Sequence, residues 1–528
     1  MPDAVVIGAG PNGLVAANLL ADRGWSVTVV EAAPEPGGAV RSAELIEPGF
    51  VNDVFSAFYP FALASPAIQS LKLEEHGLRW CRAPVVLAHP ASDGTCPILS
   101  TDLDATAASL DACCPGDGDA WRRMYDRWSR LRDPLLAALF TPTPPIVASG
   151  RLAVSAWSDG WTRVARFALL SVRRMGEEEF GSDGARRLLA GCALHADLSP
   201  EAVLGGFFAW VLCALGQDLG WPVPEGGSGQ LTAALVARLQ SRGGEVMCDA
   251  PVDRIVIRDR RAVAVRIRGD EIRATRAVLA DVGAPALYLD LVGAEHLPAR
   301  VVEDVRRFEW DNGTLKVDWN LDTPIPWLSE AARRAGTLHL AESVDALTES
   351  SSLLARGLVP ARPFLIMGQQ SMTDPTRMPA GAETVWAYTH VPRKIRGDAA
   401  GTLDLPLDRS GLEQIADRME REIECLAPGF GASVRGRHVM GPADLEARNA
   451  NLAGGAIGAG TSQLYQQLVF RPIPGLGRPE TPIRGLYLAS ASAHPGGGVH
   501  GACGANAARV ALGHDRFRRL ALSLGGKS

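Results

Sequence analysis

The first forty residues of the chain alternate between short apolar runs and turn-forming residues. Residues 4–7 are apolar and rich in β-branched side chains, which is typical of a buried strand. Glycines punctuate residues 8–13, and residues 14–20 then place apolar side chains at helical spacing before Gly24. Residues 26–30 form a second run of strand character. The pattern predicts a strand, a tight turn, a helix and a second strand, as in a parallel α/β fold.

The turn between the first strand and the helix carries a glycine motif that suits a phosphate group. Its members are Gly8, Gly10, Pro11, Asn12 and Gly13. Gly8 permits a sharp turn, Gly10 lets a diphosphate approach the backbone, and Gly13 allows the helix to pack closely on the strand. The N-terminus of the helix adds free N–H groups and a partial positive charge. These residues predict a dinucleotide site.

Glu31 narrows the choice of nucleotide. It ends the second predicted strand, 18 positions after Gly13, where such folds hold an acid that accepts hydrogen bonds from an adenosine ribose. This acid favours FAD or NAD over NADP, because a carboxylate would repel a 2′-phosphate. Gly37, Gly38 and Arg41 come next, and a glycine pair with an arginine suits a loop that lies against the diphosphate of an extended cofactor.

A second strand, loop and helix are predicted near the other end of the chain. Residues 485–489 have strand character, residues 496–498 are three consecutive glycines, and residues 502–512 form a helix of small residues. Glycines let the backbone pack against a flat ring, and amides at a helix N-terminus stabilise the negative charge of a reduced flavin. The expected cofactor contacts in this segment are Ser490, Gly497, Gly498 and Val499.

Together these segments resemble the flavoprotein superfamily that includes amine oxidases and phytoene desaturases. Three further segments, residues 444–446, 454–457 and 471–472, resemble the phytoene-desaturase-like branch that contains pyridine nucleotide-disulfide oxidoreductase domain-containing protein 2. The resemblance implies that FAD is the cofactor, that the second glycine pair and its arginine contact it, and that Val252 contacts the adenine through its backbone. It also implies reoxidation by oxygen or a quinone-like acceptor, since the sequence shows no second glycine motif for NAD(P)H.

The resemblance also implies an architecture, a discontinuous Rossmann-type FAD-binding domain of the α/β class with an α+β substrate domain inserted. The FAD-binding domain is expected to comprise residues 1–85, 225–285 and 441–528. The substrate domain is expected to comprise a helical part, residues 86–224, and a sheet part, residues 286–440. Strand-like segments at residues 314–319, 364–369 and 384–390 favour a sheet in the second part.

Composition excludes several classes of protein. The chain has 528 residues, of which 47% are hydrophobic and 21% charged, as in a folded protein with a sizeable core. The net charge of -6 comes from interspersed acids and bases, so we expect no nucleic-acid partner. No set of residues has metal-ligand spacing, so we expect no metal. Scattered cysteines and the lack of a secretory signal predict a cytoplasmic protein.

The longest apolar run, residues 203–215, has three interpretations. It is shorter than the roughly 18 residues that a membrane span needs. A buried core helix is favoured over the wall of a substrate cavity, and contact with a lipid surface is the third alternative. The sequence therefore leaves a peripheral membrane contact open, and it leaves the oligomeric state open as well.

The sequence thus favours an FAD-dependent oxidoreductase that oxidises or desaturates an apolar, polyene- or lipid-like small molecule by hydride transfer to flavin N5. His494 and His500 flank the triple glycine and are the candidate catalytic residues, although each could instead hydrogen-bond flavin or backbone. His195 is a weaker candidate. A flavin-dependent isomerase or saturase remains an alternative. Residues 454–460 lack the asparagine and histidine expected in the branch, so a catalytically silent flavin-binding partner protein also stays open.

Overall fold

The computed structural model describes residues 1–156 and 160–525, and its centre is a five-stranded parallel sheet. The strands are β1 (Ala4–Ile7), β2 (Val27–Val30), β9 (Glu245–Met247), β13 (Ala277–Ala280) and β21 (Leu486–Leu488). Their order is β21-β13-β1-β2-β9, and every neighbouring pair is parallel. The strands come from three separate stretches of chain. The predicted Rossmann-type α/β fold is therefore confirmed.

Both faces of this sheet are covered, which is why its strands other than the edge strand β9 are apolar rather than alternating. One face packs against the helices α1 (Pro11–Ala21), α11 (Gly229–Ser241) and α18 (Ala502–Gly525). The other face packs against the antiparallel strands β10 (Val252–Arg258), β11 (Arg261–Ile267) and β12 (Asp270–Arg273), and against the π-helix Ala286–Gly293. Val6 and Val29 face the helices, whereas Val5 and Val30 face the antiparallel strands β10 to β12.

The second large sheet is mixed and has seven strands, in the order β20-β14-β18-β17-β15-β6-β7. Its strands are β6 (Val85–Ala88), β7 (Ile98–Leu99), β14 (Gly313–Leu321), β15 (Ala335–Leu340), β17 (Leu365–Gln369), β18 (Glu383–Val391) and β20 (Val434–Met440). The three segments for which the sequence predicts strands become β14, β17 and β18. One face of the sheet packs against α15 (Arg409–Leu426), and the other packs against helices from the middle of the chain.

Those helices fill most of the stretch before residue 224. They are α4 (Leu103–Cys113), α5 (Asp117–Leu139), α6 (Ile146–Ser155), α7 (Trp161–Leu169), α8 (Val172–Glu179), α9 (Asp183–Leu194) and α10 (Gly205–Leu219). The apolar run at residues 203–215 is largely α10, and its residues from Ala209 to Leu215 are buried. The core-helix interpretation of that run is confirmed for these residues.

Short elements complete the described chain. The small strand pairs are β3 (Ser42–Ala43) with β4 (Asn52–Asp53), β5 (Trp80–Cys81) with β8 (Val223–Pro224), and β16 (Leu358–Val359) with β19 (Gly397–Asp398). The remaining helices are α2 (Pro60–Ala64), α3 (Pro66–Gln69), α12 (Ala299–Arg306), α13 (Glu330–Arg333), α14 (Val344–Ala355), α16 (Phe430–Ser433) and α17 (Pro442–Arg448).

Arg377 joins the two sheet systems through a fully buried ion-pair network. Its guanidinium lies 2.5 Å from the Asp53 carboxylate and 2.9 Å from the Asp374 carboxylate, and it donates to the Pro224 carbonyl. Asp53 also accepts from the backbone N–H of Ser228, just before α11. Because burial makes an unpaired charge costly, these partners fix three stretches of chain relative to one another, namely Asp53, residues 224–228 and residues 374–377.

The helices α1 and α18 are in direct contact through two glycines, Gly504 within α18 and Gly501 directly before it. A Cβ on Gly504 would lie 1.8 Å from the Asn12 carbonyl oxygen, and a Cβ on Gly501 would lie 2.6 Å from the Val15 side chain. Neither contact tolerates a side chain without movement of a helix. The two glycines therefore set how closely the C-terminal segment approaches the N-terminal turn.

We predict that Gly504→Ala destabilises the protein, because its methyl group forces α18 away from α1. The expected loss is roughly 1–3 kcal/mol of unfolding free energy, the usual range for overpacking a tight contact. Gly513→Ala is the matched control on the same helix, since a Cβ there meets no atom within 4 Å. That change should stabilise by up to about 1 kcal/mol through helix propensity. Denaturant unfolding measures both, and equal effects of the two substitutions would contradict the prediction.

Candidate functional site

The predicted phosphate loop lies between β1 and α1, as the sequence indicates. Gly8 has a φ of +92°, a conformation that side chains rarely adopt, and it follows the last residue of β1. A Cβ on Gly13 would lie 2.1 Å from the Gly8 carbonyl oxygen, so the loop closes tightly on the start of the helix. Pro11 occupies the first turn of α1, and the buried side-chain oxygen of Asn12 has no hydrogen-bond partner among the described residues.

Glu31 lies beside this loop, directly after β2. One carboxylate oxygen accepts from the backbone N–H of Ala9 at 2.7 Å, and the other accepts from that of Ala33 at 2.9 Å. Each oxygen keeps a second lone pair, so the carboxylate can still accept hydrogen bonds from a ribose. The backbone N–H of Ala250 donates to the Glu31 carbonyl, which brings the start of β10, Val252, to the same end of the sheet.

The second glycine pair packs directly on the first loop. The Gly37 backbone N–H donates to the Ala9 carbonyl at 2.9 Å, and a Cβ on Gly38 would lie 3.0 Å from the Gly10 Cα. Arg41 donates to the carbonyls of Gly38 and Arg448, so its guanidinium is held largely by the protein itself. These hydrogen bonds indicate that Arg41 stabilises the loop. Its contact with a cofactor stays a prediction.

The C-terminal glycine loop connects β21 to α18. Directly after β21, the Ala489 backbone N–H donates to the Ala280 carbonyl. The buried Ser490 hydroxyl accepts from the Ser492 backbone N–H. A Cβ on Gly497 would lie 3.0 Å from Gly458, so the loop packs closely against the segment at residues 454–460.

Two more of the predicted cofactor contacts, Gly498 and Val499, lie in that loop. Gly498 has a φ of +112°, and Val499 packs partly buried on the core beneath the first sheet. The structure thus brings the predicted loops of both ends of the chain to the same side of one sheet.

His500 is buried at the N-terminus of α18, and its ring has a defined tautomer. Its Nδ1 accepts from the Ala502 backbone N–H at 3.0 Å, so in the neutral ring the proton sits on Nε2. Burial lowers the pKa of His500 to about 4, which keeps the ring neutral at physiological pH. Nε2 is buried beside Gly498 and close to the backbone of Gly496 and Gly497. The ring therefore places an N–H donor against the C-terminal glycine loop.

His494 lies on the other side of the triple glycine. It is 6% exposed, and burial followed by the charge of Arg471 lowers its pKa to about 4. The backbone of Leu139 and Thr141 lies beside the ring. A catalytic role for His494 or His500 stays a prediction. His195 lies elsewhere, where its Nε2 is 2.7 Å from Nε2 of His339.

Arg471 is a buried cation whose place in the site the sequence reasoning missed. Its side chain is fully buried, and it donates to the carbonyls of residues 458–461 and of Ala491. Within the described ranges it forms no ion pair. Burial lowers its pKa to about 10, so it stays charged. A Cβ on Gly496 would lie 3.3 Å from its guanidinium, which places the positive charge directly against the C-terminal glycine loop.

Asp281, at the end of β13, is a second group that the sequence reasoning did not place in the site. Its carboxyl oxygen accepts from the Gly13 backbone N–H at 2.8 Å, and a Cβ on Gly10 would lie 2.6 Å from the same oxygen. Burial and the nearby Glu31 raise its pKa to about 7. The Asn451 side chain holds the Asp281 carbonyl. The signal in the sequence that could have identified it is its position directly after the apolar, strand-like residues 277–280.

These groups fit the FAD that the sequence predicts. The phosphate loop has a helix N-terminus, Glu31 has free lone pairs, and the uncharged form of Asp281 tolerates a neighbouring diphosphate. Arg471 and the N–H of His500 supply positive potential at the C-terminal loop. No group of three His, Cys, Asp or Glu side chains in residues 1–156 and 160–525 is arranged to hold a metal ion.

Comparison with known proteins gives an independent view of the chain. Residues 6–70 match the family model described as an NAD(P)-binding Rossmann-like domain. Pyridine nucleotide-disulfide oxidoreductase domain-containing protein 2 of Mus musculus is 30% identical, over 96% of this chain and 93% of that protein. Phytoene desaturase (lycopene-forming) of Pseudescherichia vulneris is 24% identical, over 97% of this chain and 99% of that protein.

A solved structure with the same fold is cyclohexylamine oxidase from Brevibacterium oxydans. It aligns with a TM-score of 0.60 at 16% identity, over 97% of this chain and 99% of that one. At this level of identity the similarity concerns the fold, which is that of an amine oxidase, as the resemblance implies.

We predict that Asp281→Asn stabilises the protein at pH 8 but has little effect at pH 5. The pKa of about 7, against an ordinary value of 3.8, means that folding favours the protonated group, so stability falls as pH rises from about 4 through 7. The neutral amide avoids that loss, and its melting temperature should exceed that of the wild type by a few degrees at pH 8. Asp133→Asn, at a residue whose side chain is 90% exposed, is the control. A difference independent of pH would refute the assignment.

Proposed function

The chain belongs to the family of pyridine nucleotide-disulfide oxidoreductase domain-containing protein 2, and we propose that it is an FAD-dependent oxidoreductase that oxidises or desaturates an apolar small molecule. In this reaction the substrate loses a hydride and a proton and gains a double bond. The two electrons finally pass to oxygen or to a quinone-like acceptor. The oxidoreductase class follows from the family, whereas the cofactor, the substrate class and the acceptor are our proposal.

The observation that carries the proposal is the meeting of two glycine loops at one end of the parallel sheet. The amides at the start of α1 would hold the diphosphate, and Glu31 would accept hydrogen bonds from the ribose. The loop of Gly497 and Gly498, with the start of α18, would support the ring. Bound FAD would supply the hydride acceptor. The direct contact of Gly504 with α1 keeps these two parts of the site at a fixed separation.

The polar groups around the C-terminal loop favour chemistry in which negative charge develops. Arg471 keeps its positive charge against Gly496, and the Nε2 proton of His500 lies beside Gly498. Both groups are buried, so water does not screen them and their effect on a nearby charge is large. We infer that His500 acts as a hydrogen-bond donor rather than as a base, because its low pKa and its tautomer leave it without a basic nitrogen on that side.

The surroundings of the loop favour an apolar substrate. The ring of Phe140 lies 5.5 Å from that of His500, and the ring of Phe61 approaches Gly498. Apolar walls exclude water and suit a hydrocarbon held over a flavin. The similarity to a phytoene desaturase supports the same class of substrate.

The proposal is tested on the purified protein by absorption spectroscopy and mass spectrometry. We expect the oxidised flavin spectrum in the protein as isolated, and a panel of terpenes and carotenoids should include a compound whose product is lighter by two hydrogen atoms. A protein that takes up no FAD would contradict the cofactor assignment. A product of unchanged mass would indicate isomerisation instead.

We predict that His500→Ala lowers the reduction potential of the bound FAD by roughly 30 mV, which corresponds to about 1.4 kcal/mol for a two-electron couple. The physical reason is the loss of a buried N–H donor that favours the reduced, negatively charged ring. Redox titration against a dye of known potential measures the shift. His296→Ala, at a half-exposed histidine outside the site, is the control and should leave the potential unchanged. A potential unaltered in His500→Ala with FAD still bound would refute the role.

A further inference from the structure

We infer that Asp311 is a positioning residue of the site, which holds residues 458–461 behind the C-terminal glycine loop and balances the charge of Arg471. Asp311 lies between α12 and β14 and is 5% exposed. It belongs to neither of the two glycine loops. Its effect on a flavin rests on the proposed function, whereas its contacts with residues 458–461 do not.

The Asp311 carboxylate accepts hydrogen bonds from the backbone of this segment. One oxygen accepts from the Gly458 N–H at 2.6 Å, and the other accepts from the Gly460 N–H at 3.1 Å. A Cβ on Gly458 would lie 3.2 Å from the first of these oxygens, so the carboxylate lies directly against the backbone. Because the acceptor is charged and buried, these hydrogen bonds are stronger than those between neutral groups.

Arg471 holds the same segment through its carbonyl groups. Its guanidinium donates to the carbonyls of residues 458–461 at 2.8 to 3.3 Å. The segment thus lies between a buried anion and a buried cation, and neither charge has a direct ion-pair partner within the described ranges. Burial lowers the pKa of Arg471 to about 10, and the charge of Asp311 opposes that shift. The two charges therefore act on each other across the backbone of the segment.

The backbone conformation of the segment requires such support from outside. Ala459 has a φ of +54° and Gly460 a φ of +125°, and the first value is unfavourable for an alanine. Residues 454–460 contain no polar side chain that could hold this conformation from within. The Ser492 hydroxyl adds one hydrogen bond, to the Ala459 carbonyl at 3.0 Å. The other side-chain hydrogen bonds to the backbone of residues 458–460 come from Asp311 and Arg471 among the described residues.

Asp311 is itself held in place by the residues on either side of it. Asn312 donates from its backbone N–H and from its side-chain amide to the two carboxylate oxygens of Asp197, each at 2.8 Å. The Glu309 carbonyl accepts from the Thr461 backbone N–H at 3.0 Å. The connection before β14 is therefore fixed on both sides of Asp311, so the carboxylate serves as a fixed point for the segment.

The segment transmits this arrangement to the C-terminal glycine loop. A Cβ on Gly497 would lie 3.0 Å from Gly458, and a Cβ on Gly496 would lie 3.3 Å from the Arg471 guanidinium. A flavin supported by this loop would experience the positive charge of Arg471, reduced by the negative charge of Asp311. Removing the negative charge should therefore favour the reduced, negatively charged ring.

Arg393 is the other arginine close to Asp311, and it does not take the place of Arg471. It donates to the Ala453 carbonyl, which precedes the segment, and its side chain lies against Gly454. Arg393 is exposed, so water screens its charge. The charge that Asp311 balances at the loop is therefore that of Arg471.

The variant Asp311→Asn, made in the full-length protein, tests the inference. The amide keeps the shape of the side chain but removes its charge and can accept from only one of the two N–H groups. We expect hydrogen exchange of the amides of residues 458–461, followed by mass spectrometry, to become at least tenfold faster. We also expect a tenfold shift of the bound flavin toward its reduced form, which is a rise of about 30 mV for a two-electron couple. Asp290→Asn, at an exposed aspartate, is the control and should change neither quantity.

Two further variants separate charge from structure. Asp311→Glu keeps the negative charge, and a reduction potential that rises as much as in Asp311→Asn would overturn the role of the charge. Asn312→Ala removes one of the two hydrogen bonds to Asp197 and leaves the Asp311 carboxylate in the chain. It should speed exchange of residues 458–461 by a smaller factor, and it decides the matter if Asp311→Asn does not fold.

Flavin content is measured on the same samples, so that the two proposals fail separately. Unchanged exchange at residues 458–461 in the folded variants overturns the positioning role, with or without FAD. Faster exchange together with an unaltered or lowered potential in flavin-loaded Asp311→Asn overturns the balance of charge. A protein that holds no FAD contradicts the proposed function, while faster exchange in its Asp311→Asn variant still supports the hold on the segment.

Discussion

The close contact between α1 and α18 is the constraint on which the site depends. The phosphate loop and the C-terminal glycine loop are almost five hundred residues apart in sequence, and each occupies the N-terminal side of one of these helices. Gly504 brings the two backbones together where any side chain would separate them. Because both helices also pack on the parallel sheet, a small displacement of α18 would move the whole C-terminal loop relative to the phosphate loop.

Charge in the site follows from burial as much as from residue identity. Asp281 sits against a helix N-terminus yet has a raised pKa, since loss of water outweighs the amide that it accepts from. Arg471 keeps its charge while its donors bond only to carbonyl groups. The network of Arg377 with Asp53 and Asp374 is buried too, but its charges pair within the protein. Arg471, which forms no ion pair among the described residues, is therefore the group whose charge would act on a bound molecule.

The sequence predicts the parts of the fold that rest on local patterns. The order of strand, glycine turn and helix at residues 4–21 depends on neighbouring residues only, and so do the strands predicted at residues 314–319, 364–369 and 384–390. The position of Asp281 depends on pairing between β13 and β1, which lie far apart along the chain. The packing of Arg471 against Gly496 likewise depends on a loop that no periodicity describes. Such contacts arise from tertiary packing, which local spacing does not encode.

The strand order of the parallel sheet has a consequence for how the protein matures in the cell. β21 pairs with β13, which precedes it by about two hundred residues, and α18 covers the face that α1 and α11 share. During synthesis the earlier strands leave the ribosome with that edge and face still open to other chains. The parallel sheet is therefore completed only when β21 and α18 have been synthesised, so that one edge and one face of it stay unpaired while the residues between β13 and β21 are being added.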